Sequence, residues 1–373
     1  MMPTKKLKIF IIAGEVSGDV LASKIMREMP SVDFVGIGGK NMAENGLKSI
    51  FPMSDLSVMG IFEVLFHAKT LTKRIKQTVD AIIKENPDIV LTIDSPGFAK
   101  SVVKSVRKKK ILKKTKFYHV VAPQVWAWGA KRAKKYAKTF DKLYSFFDFE
   151  KPYFEKYGLK TVAVGHPIAD GLDKYKSVKN NDEKIITLVP GSRMNEVKKL
   201  LPVFQKTVQM LLDCGYQDYK FVIPVVETTE DYVKNHIKKW KVKPEIIPSS
   251  QRYDIYAKTY IAIVASGTVS AELAIMHIPA IVVYKMNTFT VMLAHLLLTV
   301  KWASLVNILM NKTIYPELLG KDAVPENIME NLQQLTLPAQ RKQMVAELTK
   351  ADSIWKPFGK KPAFLIAKDI LNG

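Results

Sequence analysis

The sequence predicts an α/β protein of two doubly wound, Rossmann-like domains with a helical tail, and three observations carry that prediction. Short apolar runs alternate along the chain with segments of helical period, the pattern of parallel sheets covered on both faces. Several runs end in turns of small residues that open directly into a helix, as at Ser266-Gly267-Thr268. The same grammar restarts after the polar stretch Lys174–Lys184, which reads as a linker. At 373 residues the chain has room for two cores.

Lys8–Ala13 is the first strand, and Gly14-Glu15-Val16-Ser17-Gly18-Asp19 leads into a helix expected from about Val20 to Met29. Phe34–Ile37 is a second strand before Gly38-Gly39. The turn GEVSGD lacks the G-x-G-x-x-G spacing, which argues against a dinucleotide site although Asp33 stands where a ribose-binding acid is expected.

Val58–Thr70 places Ile61, Phe62, Leu65 and Phe66 on one helical face, followed by Lys69, Lys73, Arg74 and Lys76. An apolar stripe beside a basic cluster is the pattern of an interfacial helix, and equally of a core helix with a wet end. Asp88–Ile93 is a buried strand ended by Asp94-Ser95-Pro96-Gly97-Phe98. A carboxylate at the carboxyl end of a parallel strand points into the crevice where such sheets bind ligands, so Asp94 is a candidate for chemistry; its other reading is a helix cap. Phe117–Val121 is the next strand, and the loop after it carries Trp126 and Trp128, placed to stack on a sugar or to wedge the loop against the core. Lys142–Phe146 and Thr161–Val164 complete the first half before Gly165-His166-Pro167. His119 and His166 read first as core histidines.

In the second half, Ile185–Val189 is a strand whose turn Pro190-Gly191-Ser192-Arg193 opens a helix with Glu196 near its start. Phe221–Val225 and Glu245–Ile247 follow, then Tyr260–Ala274, in which a strand breaks at Ser266-Gly267-Thr268 and resumes as a helix. The free N–H groups and positive dipole end of that helix suit a phosphate, Gly267 allows close approach, and Ser266 or Thr268 is expected to cap. Ile281–Tyr284 is the last expected strand. Thr288–Val300 is apolar but too short to span a bilayer, and the tail from about Glu326 is helical and amphipathic.

Composition narrows the function classes. The 57 Lys+Arg against 35 Asp+Glu give a net charge of +22, which points to nucleic acid, an anionic membrane surface or phosphorylated substrates. No nucleic-acid-binding module accompanies it, and clusters such as Arg107–Lys110 and Lys131–Lys138 read by default as solvated faces. The single cysteine, Cys214, fits a reducing cytoplasm, and no Cys/His cluster has zinc spacing. The apolar run after Lys8 is too short for a signal peptide or a spanning helix, so a soluble or peripheral protein is expected.

Taken together, AGEVSGD (13–19), GIGGKNM (36–42), SVMGIFEVL (57–65), DSPGF (94–98), APQVWAW (122–128), GHP (165–167), PGSRMNEV (190–197), SGTVSAELA (266–274) and YPELLG (315–320) resemble the lipid-A-disaccharide synthases. The segments run in family order over nearly the whole chain. The resemblance implies a GT-B fold: residues 1–173 on the acceptor and membrane side, 182–345 holding the UDP-sugar donor, and 346–373 as a C-terminal helix packing back on the first domain or swapped between chains. The carboxyl ends of both sheets are then expected to line one cleft.

The activity it implies is an inverting transfer from UDP-2,3-diacylglucosamine to 2,3-diacylglucosamine 1-phosphate, giving a β-1,6 disaccharide and UDP. Carried onto this chain, Asp94 is the candidate general base, with Arg193 beside the leaving group. Gly191, Ser192, Arg193, Ser266, Gly267, Thr268, Glu272, Asn307 and Glu317 fall on the donor side. Glu15, Ser17, Asp19, Met59, Glu63 and Trp126 fall on the acceptor side, and Ile61, Phe62, Leu65, Phe66, Lys69, Lys73 and Arg74 on the membrane contact. No metal or other cofactor is expected, because Arg193 and a helix N-terminus can meet the diphosphate charge. The expected partners are the two lipid substrates and an anionic inner-membrane surface, with no nucleic acid; a homodimer through the C-terminal helices is left open. The expected location is cytoplasmic, against the inner membrane.

The chain departs from the family pattern at Gly129, where Arg is usual, at Val306, where Pro is usual, and at Gly320, where Gln is usual. Another UDP-sugar enzyme of the same fold, such as a 2-epimerase or a UDP-GlcNAc transferase for a different lipid, is the rival reading, and a basic non-catalytic membrane protein is a third.

Overall fold

The computed structural model describes residues 6–56, 61–176, 184–285 and 300–373, with the side chains of 61–68 and 173 outside that description. It divides into two compact units, one comprising 1–167 and 356–373 and the other 168–355. The division falls at Pro167, before the expected 173, and residues 346–355 go with the second unit.

The first unit holds six parallel strands: β1 (Lys8–Ala13), β2 (Asp33–Ile37), β3 (Ile89–Ile93), β4 (Lys116–Val120), β5 (Lys142–Ser145) and β6 (Lys160–Ala163). Their order in the sheet is β2-β1-β3-β4-β5-β6. The chain builds outward from β1 to β2, then returns to place β3 on the other side of β1. The strand direction of growth therefore reverses between β1 and β3, and a crevice opens at their carboxyl ends. Continuous apolar runs make this possible because both faces are covered. Ile9, Ile11, Leu91 and Ile93 pack on one side, while Phe10, Ile12 and Val90 pack on the other.

The last helix, Pro362–Leu371, belongs to this unit: Ala363, Ile366, Ala367 and Ile370 join the core against β1 and β3. Asp369 fixes it, accepting from Lys142 Nζ at 2.7 Å and from Tyr144 Oη at 2.8 Å.

The second unit repeats the device with β7 (Ile185–Val189), β8 (Lys220–Val225), β9 (Glu245–Pro248), β10 (Thr259–Ala265), β11 (Ala280–Tyr284) and β12 (Glu317–Leu319), all parallel. Their order is β12-β11-β10-β7-β8-β9, so the reversal here lies between β7 and β10. Among the described residues no helix is long and apolar enough to cross a membrane. The stretch Thr288–Val300, read above as apolar, lies outside the described residues except for Val300.

Candidate functional site

In the first unit the reversal point is built by two turns in contact. After β1 comes Gly14-Glu15, and the helix starts at Val16 rather than Val20, so Ser17, Gly18 and Asp19 sit in its first turns. After β3 come Asp94 and Ser95, both in the left-handed region with φ of 54° and 43°. That conformation is costly for residues with side chains and persists only when the surroundings hold it. Here the Asp94 N–H donates to the Val120 carbonyl at 3.1 Å, and the Asp94 Oδ1 accepts from the Ser95 N–H at 2.9 Å.

The helix that follows runs Pro96–Lys109, with Ser95 at its N-cap, so Asp94 is not the cap residue. Its carboxyl is half-buried and held above the ordinary carboxylate range by burial, against which the Ser95 N–H works. Glu15 across the crevice is raised too, by burial and then by the charge of Asp94. Two acids thus share one partly dry crevice, with Ser17 exposed beside them.

The other acceptor-side candidates fall in different surroundings. Asp19 is only 2% exposed, and its two oxygens accept from the Gly39, Asn41 and Met42 N–H groups and from the Asn41 amide. It ties the turn after β2 to the first helix. Trp126 is buried, donating from Nε1 to Glu150 at 3.1 Å and packing edge-on against Phe149, so it wedges the loop. Trp128, two residues on, is the exposed one at 51%. Met59 lies outside the described residues, as do the side chains of Ile61, Phe62, Glu63, Leu65 and Phe66. Lys69 and Lys73 are exposed, but Arg74 is held by Asp55 at 2.8 Å and stacks on Phe51, which removes it from the free basic surface.

In the second unit the turns after β7 and β10 wall a cavity of ≈ 440 Å³ that includes Gly191, Ser192, Arg193, Ser266, Gly267, Thr268 and Glu272. Gly191 has φ +107°, and a side-chain carbon there would stand 2.6 Å from a Glu196 oxygen, so the turn admits only glycine. Gly267 has φ +151° with open space around its missing side chain. It is the N-cap of helix Thr268–Ile275, and neither Ser266 nor Thr268 makes the expected capping bond. The Ser270 N–H donates to the Gly267 carbonyl at 3.1 Å, which leaves the Thr268 and Val269 N–H groups to the cavity. Arg193 is an N-cap as well, at the start of helix Met194–Asp213; its side chain is 81% exposed at the cavity mouth and pairs with Glu196 at 3.0 Å.

Glu272 lines the inner wall, 9% exposed at its side chain, and accepts from Arg252 Nη2 at 3.2 Å and Tyr253 Oη at 2.8 Å. Arg252 also lines the cavity and escaped sequence reading, because SSQRYD matches no motif.

Asn307 and Glu317 are not part of this wall. Asn307 is fully buried; its Oδ1 accepts from the Ile314 and Tyr315 N–H groups, and its Nδ2 donates to the Tyr315 carbonyl and Glu317, all at 2.8–2.9 Å. Glu317 in turn accepts from the Ala303 and Ser304 N–H groups and the Ser304 hydroxyl. Every hydrogen-bonding position of Asn307 is used, so it braces the loop before β12 and has none left for a ligand.

The sequence pattern of the family described as lipid-A-disaccharide synthetase matches residues 9–358. A lipid-A-disaccharide synthase of Rhodospirillum centenum is 37% identical, covering 99% of this chain and 95% of that protein. The chain belongs to this family. A second relative of the same name, from Rickettsia bellii, is 35% identical over 97% of this chain and 98% of its own.

Among solved structures, a UDP-GlcNAc 2-epimerase from Neisseria meningitidis bound to UDP-GlcNAc superposes with a TM-score of 0.64 at 12% identity, covering 98% of this chain and 100% of that one. Acinetobacter baumannii MurG superposes with a TM-score of 0.59 at 13% identity, covering 98% and 100%. These likenesses are of fold, and with the two six-stranded units they make this synthase-family chain a GT-B protein.

Of the departures from the family pattern, Gly129 has φ +67°, and a side-chain carbon there would stand 3.0 Å from Arg132 Nε. Val306 is fully buried, and Gly320 has φ +60°.

Proposed function

We propose that this chain catalyses the reaction of its family: the 6-hydroxyl of 2,3-diacylglucosamine 1-phosphate attacks the anomeric carbon of UDP-2,3-diacylglucosamine. The carbon–phosphate oxygen bond breaks, UDP leaves with the electron pair, and the β-1,6 disaccharide 1-phosphate forms. What carries the reading is the pair of reversal points, one lined by acids and the other by phosphate-suited turns.

On the acceptor side, Asp94 takes the hydroxyl proton. A carboxylate raised by burial is a better base than an exposed one. On the donor side, the diphosphate meets the free N–H groups at Gly267–Thr268, and Arg193 swings from the cavity mouth onto the leaving oxygen. Glu272, oriented by Arg252 and Tyr253, offers an acceptor to donor hydroxyls. This charge arrangement stabilises UDP with no divalent ion. The net charge of +22, with Lys69 and Lys73 exposed, suits an anionic inner-membrane surface where acylated substrates reside. The apolar stripe Ile61, Phe62, Leu65 and Phe66 supplies the insertion.

The test is a product assay on purified protein in detergent. UDP-2,3-diacylglucosamine and, in parallel, UDP-GlcNAc are each offered with 2,3-diacylglucosamine 1-phosphate. Disaccharide from the acylated donor alone is expected. Turnover of plain UDP-GlcNAc would move the protein to a neighbouring UDP-sugar enzyme.

A further inference from the structure

Beside Asp94 the first unit carries polar groups that the chemistry above does not use. The Tyr136 hydroxyl is buried with no hydrogen-bond partner, in a residue 2% exposed overall. The Arg132 Nε is likewise buried and unpartnered, although its Nη2 donates to the Trp128 and Gln124 carbonyls at 2.9 and 3.3 Å. Its guanidinium lies 3.6 Å over the Trp128 ring, which fixes its plane. Lys100, on the second turn of the helix that starts just after Asp94, sets its ammonium 5.2 Å from the Tyr136 ring centre.

Lys100 has no ion-pair partner among the described residues. Instead burial, and then Lys104, Arg132 and Lys135, hold its pKa below the ordinary lysine value. Burial raises the pKa of the Tyr136 hydroxyl, Arg132 works against that rise and the charge of Asp94 adds to it, which places the cluster within electrostatic reach of the crevice.

Buried donors left unmade carry a desolvation penalty, and cations gathered without an acid disfavour one another. Both costs vanish if an anion with several acceptor oxygens sits there. We propose that Lys100, Arg132 and Tyr136 form the subsite for the phosphate of the acceptor. Donors from these three side chains on one phosphate orient the sugar, so that its free hydroxyl is presented to Asp94. This rests on the function proposed above and adds the residues that read the acceptor's charge. None of the three touches the reacting atoms; they are positioning residues.

The experiment compares steady-state kinetics on two acceptors, 2,3-diacylglucosamine 1-phosphate and the same sugar lacking its phosphate. The wild-type protein is measured beside Lys100→Gln, Arg132→Gln and Tyr136→Phe. The wild type should favour the phosphorylated acceptor in kcat/KM by about tenfold or more, the worth of one hydrogen bond to a charged group. Each variant should lose most of that preference through a higher acceptor KM, with donor KM and turnover of the unphosphorylated acceptor unchanged. Tyr136→Phe keeps the ring and should fold as well as the wild type. Equal wild-type turnover of both acceptors would overturn the subsite alone, as would an equal loss on both in the variants. Wild-type silence on both would overturn the functional reading beneath it.

Discussion

Gly14 lies directly against Ser95: a side-chain carbon on Gly14 would stand 2.7 Å from the Ser95 Cβ and closer still to its hydroxyl. The turn after β1 and the turn that holds Asp94 are thus one packed object. Gly14→Ala should therefore destabilise the first unit by about 1–3 kcal/mol, an overpacking cost, and displace Asp94. Because Ser95 has φ +43°, glycine is welcome there, and adding Ser95→Gly should recover most of the loss. Thermal unfolding of the single and double variants checks it; a Gly14→Ala protein as stable as the wild type contradicts the contact.

Asn307→Ala should act on stability rather than donor recognition. It strands the Ile314 and Tyr315 N–H groups, and buried unmade bonds of this kind sum to about 2–4 kcal/mol. Urea unfolding should show the loss, while UDP affinity in the folded protein stays within about twofold. A large fall in affinity at unchanged stability would return Asn307 to the donor site.

The fold was largely legible because strands buried on both faces leave an unbroken apolar signature, as in Ile89–Ile93. The strand Glu317–Leu319 left no such signature, being three residues at a sheet edge paired only with β11. The site was legible where backbone conformation makes it, at Gly191, Gly267 and the end of β3. Side-chain destinations were not. Asp19 and Asp94 are both acids in small-residue motifs, yet one serves N–H groups twenty residues away and the other opens to a crevice. Trp126 and Trp128 differ by one residue of separation in a loop, and only the fold decides which is buried.

Chelation should leave turnover intact. In the function proposed above, Arg193 and the helix start at Thr268 supply the positive charge that a divalent ion would otherwise bring. Rates with EDTA and with added Mg²⁺ should agree; loss in EDTA restored by Mg²⁺ contradicts this.

The pH profile should carry Asp94. A base must be ionised, and burial raises its pKa from the ordinary 3.8, so kcat/KM should fall on acidification at a higher pH than an exposed carboxylate gives. The stability effect has the opposite sense. A carboxyl whose folded pKa is raised binds its proton more tightly when folded, so its contribution to stability is lost as pH rises through the window between the unfolded and folded values. Asp94→Asn, which cannot ionise, should therefore melt higher than the wild type at neutral pH. An unchanged or lower melting temperature would mean that the carboxylate is not held at a cost.

The most direct measurement takes Asp94→Asn and wild type side by side, reading disaccharide formation and UDP binding on the same preparations. Removing a general base should lower turnover by about 10²–10⁴-fold. UDP affinity should not change, because the donor cavity belongs to the other unit. A variant with near-wild-type turnover would contradict the assignment of Asp94 as the base and leave it as a strained turn residue alone.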